Sequence, residues 1–163
     1  MDTTWIVLAD EGRARILQRS EPGADLEDVE ELIDAAAHAH NADLRRDAMG
    51  RRSPSDGHGA HAGTRMPGSS TSSAGEEKLD HEAELFARRL ALRLAEARRA
   101  HRYDHLRIAA APRFLGRLRK ELDTEVCSVL DDAIDKDLLQ LDRRTLTQRF
   151  FPDAPHSPHP PAA

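Results

Sequence analysis

Five arginines crowd between positions 45 and 75, at Arg45, Arg46, Arg51, Arg52 and Arg65, against only Asp47 and Asp56. The same stretch carries His58, His61 and six of the nine glycines. Glycine lets a backbone approach an anion closely, and the arginine fork pairs bidentately with phosphate. The chemistry these residues suit is contact with phosphate, either on RNA or on a phosphorylated ligand. The plain alternative is a solvated loop whose charges have no specific partner.

Other reactive residues carry weaker signals. His38, His40, His58 and His61 offer imidazoles to a metal, but no cysteine pair or fixed acidic spacing supports them. No metal and no cofactor is therefore expected. Asp131, Asp132, Asp135 and Asp137 look like the acids of a two-metal nuclease only in number. Such sets draw acids from separate strands, so a solvated turn or helix start is the expected role. Asp10 precedes Gly12 and reads as a turn former. Cys127, in the apolar stretch 125–130, reads as a small core residue. No serine or histidine triad is legible.

The elements that position these residues follow from hydrophobic period. Residues 3–9 (TTWIVLA) and 13–19 (RARILQR) predict a β-hairpin, with Gly12 supplying a positive φ at its turn. Residues 26–35 fit helix or strand, and a third antiparallel strand is the preferred reading. From 45 to 75 no hydrophobic period survives, which predicts a long loop, functional or disordered. Leu79, Ala83, Phe86, Leu90, Leu94 and Ala97 then form one helical stripe. Ser73 and Glu76 have capping-box spacing, so that helix should start near Glu76. Residues 105–111 predict a central strand, and Pro112 opens a short helix with Phe114, Leu115, Leu118 and Leu122 inward. Residues 125–130 predict another strand and 142–150 a last helix. The tail 151–163 has five prolines and is expected to be disordered. The outcome is one α/β domain over 1–150, a mixed β-sheet with an N-terminal hairpin and helices packed on it.

Bulk numbers bound the function. The 163 residues carry a net charge of −5, which argues against nonspecific coating of nucleic acid. Residues 25–34 are strongly acidic, so the loop is basic on an acidic body. Only 4% of residues are aromatic, so the core rests on Leu, Ile, Val and Ala, and a monomer or a homodimer is expected. A single cysteine excludes an internal disulfide and suits a reducing compartment. With no signal-peptide pattern and no membrane-length apolar run, a cytoplasmic protein without membrane contact is expected.

Trp5-Ile6-Val7-Leu8-Ala9-Asp10, Ala14-Arg15-Ile16, Phe86, the segment Ala111-Pro112-Arg113-Phe114-Leu115-Gly116-Arg117-Leu118-Arg119 and Lys136-Asp137-Leu138 recur in that order. Together they resemble the bacterial host attachment protein family over roughly residues 3–150. That family is similar to the middle domain of archaeo-eukaryotic peptide release factors, which implies an RNase H-like fold. There a Gly-Gly-Gln loop precedes a long helix, and the loop 45–75 takes the matching place. Here residues 57–63 read Gly-His-Gly-Ala-His-Ala-Gly, so catalysed peptide release is not expected. The resemblance implies a partner in translation, the ribosome or structured RNA. The expected contacts are Arg45, Arg46, Arg51, Arg52, His58, His61 and Arg65 with Arg113, Arg117 and Arg119 near a helix N-terminus. The alternatives are an adaptor that binds a protein partner, and a hydrolase of RNA or peptidyl-tRNA.

Overall fold

The computed structural model describes residues 2–37, 39 and 70–152, with backbone alone for 70–73. Five strands build one mixed sheet: β1 (Thr4–Ala9), β2 (Arg13–Arg19), β3 (Glu27–Ile33), β4 (His105–Ala110) and β5 (Leu130–Ile134). The described helices of at least four residues are α1 (Ser70–Arg99), α2 (Pro112–Glu121), α3 (Thr124–Cys127) and α4 (Arg143–Phe150). Strand order is β3-β2-β1-β4-β5. The β1–β2 and β2–β3 pairs are antiparallel, and β1–β4 and β4–β5 are parallel. This is the mixed α/β sheet that the hydrophobic pattern predicts, and the third segment is a strand.

β1 lies at the centre, and from Trp5 to Ala9 every side chain is buried. That burial on both faces is why it reads as an unbroken apolar run. On the first face, Trp5, Val7, Ile16, Leu106 and Ile108 meet Phe86, Leu90 and Leu94 of α1 and Phe114 and Leu118 of α2. Tyr103 stacks on Trp5 with ring centroids 4.9 Å apart, and its hydroxyl donates to the Leu94 carbonyl at 3.0 Å. Burial pushes that phenol up to about 12. On the second face, Ile6, Leu8, Leu17 and Ala109 meet Leu138, Leu139, Leu146 and Phe150.

The turns differ from expectation in instructive ways. Asp10 is a turn former: its Oδ1 accepts from the N–H groups of Gly12 and Arg13, each at 2.8 Å. Gly12, however, does not have the expected positive φ; among the described glycines that belongs to Gly23, at 92°. Space is what requires glycine at position 12, since a Cβ there would come within 2.7 Å of the Ala37 Cβ. His101 ends α1 in the left-handed region at φ 52°. Its N–H donates to the Arg98 carbonyl and that of Arg102 to the Ala97 carbonyl, which satisfies the last turn.

Three boundaries are corrected. α1 begins at Ser70, so Ser73 and Glu76 lie inside it and residues 70–75 are helix, not loop. Residues 125–130 are not one strand. Asp123 caps α3 by accepting from the Glu125 N–H, and Val126 is the buried residue of that turn. β5 starts only at Leu130. Cys127 is consequently exposed at the end of α3, not a core residue. Asp131 and Asp132 lie within β5, not on a connection. Asp137 does form a local turn, accepting from the Leu139 N–H at 3.0 Å.

A candidate anion-binding surface

Arg45, Arg46, Arg51, Arg52, His58, His61 and Arg65 lie outside the described residues, as do His38, His40 and the tail from 153. The orders expected for the loop and for the tail therefore concern residues beyond those described. Among the described residues no group of three or more His, Cys, Asp or Glu is placed to hold a metal.

The arginines of the Ala111–Arg119 segment are described, and they divide. Arg113 reaches Asp80 of α1 at 3.2 Å, and Arg117 reaches the other oxygen of the same carboxylate at 2.8 Å. Positions 113 and 117 are one helical turn apart, so both guanidiniums meet one acid. Arg117 is largely covered, whereas the Arg113 side chain is 72% exposed and keeps donors toward solvent. Arg119 points to another side of α2, exposed. The start of α2 has no cap of its own: Ala111 makes no side-chain cap, Pro112 takes the first turn, and none of the residues of that turn is an acid. The first N–H groups of a helix lack partners within it, so this end suits an anion.

α1 carries the approach to the undescribed segment. Its buried side chains begin at Ala83, and from Ala74 to Glu82 none is fully buried. At 1.5 Å per residue that part spans about 13 Å. Ion pairs brace the helix along its length. Besides Asp80, they join Arg88 to Glu121 at 3.2 Å, Arg93 to Glu30 at 2.7 Å and Arg99 to Asp123 at 3.1 Å.

The second face of the sheet holds arginines that were not among the anion contacts expected from the sequence. Alternation puts Ala14 and Ile16 of β2 on the first face and Arg13, Arg15, Leu17 and Arg19 on the second. Arg13 pairs with Glu31. Arg15 pairs with Asp28 at 2.7 Å and donates to the Leu141 carbonyl at 3.3 Å. Arg143 of α4 reaches the other oxygen of Asp28 at 2.7 Å. The hydrogen bond from Arg15, helped by the charges of Arg15 and Arg143, holds the Asp28 carboxyl below its ordinary value. Arg13, Arg15, Asp28 and Glu31 line an open cleft of about 300 Å³ with Leu139 and Leu141. Arg19 and Arg107 stand beyond it. Their Cζ atoms lie 4.2 Å and 4.8 Å from the centroid of the same ring, Phe151. The alternating arginines of β2 were a visible signal for this face; their convergence with Arg107 and Phe151, far along the chain, was not.

Among the described residues no helix is long and apolar enough to cross a membrane. No curated protein matches the chain. A solved structure described as "Archaeal protein" is similar at 16% identity with a TM-score of 0.38. The match covers 90% of this chain and 34% of that one, so the chain spans about a third of its length. The family model described as "Protein required for attachment to host cells" matches residues 5–150, from Trp5 in the central strand to Phe150 at the end of α4. The match takes in every described strand and helix but for Thr4, and on that extent the chain belongs to this host attachment family.

Proposed function

We infer that the protein is a non-catalytic domain that contacts RNA or the ribosome through the basic Gly-rich segment ahead of α1. One observation carries this reading. The first turns of α1 stand clear of the core, and the strut from Asp80 to Arg113 and Arg117 braces them. A braced helix holds its positive N-terminal pole in place, and that pole adds to the charge of the arginines that precede it in the chain. The release-factor-like, RNase H-like reading of the family is consistent with this arrangement. In it, Arg113 and Arg117 serve first as struts, and the phosphate contacts fall to Arg45, Arg46, Arg51, Arg52 and Arg65, with His58 and His61 beside them and Arg119 and the exposed side of Arg113 as outer contacts.

Sedimentation of lysate through sucrose at low salt tests it. The protein should travel with ribosomal particles and leave them as salt rises, because phosphate contacts release counterions. Arg51→Ala with Arg52→Ala should shift it to the top of the gradient. No co-sedimentation at low salt would refute the reading. Capture of a partner that resists both RNase and high salt would replace it with the protein-adaptor alternative.

A further inference from the structure

Arg19 is among the few charged side chains buried in the described structure, at 6% exposure. Its Nε donates to the Ala24 carbonyl at 3.1 Å. Arg107 donates through Nη1 to the Phe150 carbonyl, while its Nε is buried with no acceptor. Neither guanidinium has a carboxylate within ion-pair distance among the described residues. Asp132 sits opposite Arg107 in the strand register, but it is exposed and makes no ion pair with it. Both cations converge on the Phe151 ring, which attracts each but cancels neither. Burial and the charge of Arg107 both push the Arg19 pKa down, as expected of like charges forced together.

A buried donor without an acceptor costs free energy, and so does holding a buried cation near a second, half-buried one with no counter-charge. An oxyanion between them relieves both costs. The chemistry of two guanidiniums favours a tetrahedral ion. A planar carboxylate matches one guanidinium fork, whereas phosphate offers oxygens to two forks at once. We propose that Arg19 and Arg107 form a binding site for a phosphate oxyanion, free or on a small ester, at the Phe151 end of the second sheet face. The site is separate from the α1 stalk. Arg19 is level with Thr4, at the strand edge where α1 ends, and Arg113 follows the other end of β4.

Calorimetric titration of the full chain in phosphate-free buffer tests this, with inorganic phosphate and glycerol phosphate as the two probes. Saturable one-to-one binding is expected. Arg19→Gln and Arg107→Gln should each weaken it at least tenfold, in line with the loss of a charge-assisted hydrogen bond. Lys120→Gln, exposed on α2 and outside both sites, should leave it unchanged. Tighter binding of the ester assigns the site to an ester, and tighter binding of phosphate assigns it to the free ion. No saturable binding of either probe, or binding indifferent to both glutamine variants, overturns the proposal. Should those variants lose native near-UV dichroism, Arg107→Lys decides: it keeps the charge but loses the fork, and an unchanged affinity overturns the site. The outcome does not depend on ribosome sedimentation, which reads Arg51 and Arg52.

Discussion

The two faces of the sheet use the same strands for different ends. On the first face, Trp5, Val7, Ile16 and Ile108 meet aromatic and aliphatic side chains of α1 and α2, and charge stays at the rim. On the second, the apolar patch around Ile6, Leu8 and Leu17 is flanked by Arg13, Arg15, Arg19 and Arg107. The chain between β5 and Phe151 covers it with one short helix. A strand's two-residue period makes such a division inexpensive, because each face is chosen independently. The lesson is that one sheet can carry two unlike faces: the first is an apolar core, and the second combines a smaller apolar core with a row of arginines.

Truncations on each face test that contrast. Phe86→Ala on the first face should cost about 3–5 kcal/mol in chemical denaturation, since Phe86 is fully buried against Phe114. Leu146→Ala on the second should cost less, about 2–3 kcal/mol, because the long side chains around it can collapse into the gap. Equal losses would argue that the second face is as much a core as the first. Arg15→Ala should cost about 1 kcal/mol, and that loss should shrink as salt is added, because its partner Asp28 is partly exposed.

The acid limb of stability isolates Asp28 further. Its folded-state pKa is lowered, so its contribution is present above the ordinary aspartate value and fades as pH falls through the lowered one. Melting temperatures of the parent and of Asp28→Asn should therefore converge on acidification and separate at neutral pH. A constant gap would remove the Arg15–Asp28–Arg143 network from the account. The smallest effect is expected away from both faces. His101→Gly should raise stability by roughly 1 kcal/mol by relieving a left-handed backbone at a non-glycine residue.

What could be read from the amino acids follows from how local the signal is. β1, β2, β4, α2 and α4 were legible because the apolar period lies within each segment, joined at α2 by Pro112 and at α4 by the Asp142 cap. The segment 125–130 misled because Val126, Cys127, Val129 and Leu130 supply β-type residues while Asp123, outside the window, caps a helical turn instead. Gly12 was recognisable as necessary, but the reason is the distant Ala37, not the turn. The candidate contacts show the same limit. Arg113 and Arg117 read as anion ligands because Asp80, which engages both, lies on another helix. Arg19 and Arg107 escaped notice because their shared ring comes from the far end of the chain.

The parallel pairing of β1 with β4 sets Thr4 beside His105. Folding must therefore close a very long stretch of chain before the central pair can form, which places the search for that contact among the slow steps. Closure entropy grows only logarithmically with length, by about 0.6 kcal/mol per doubling. Relatives can then lengthen, shorten or rewrite the stretch between β3 and α1 at little thermodynamic cost. The stretch between β3 and α1 is thereby free to change at a pace that the fold does not set.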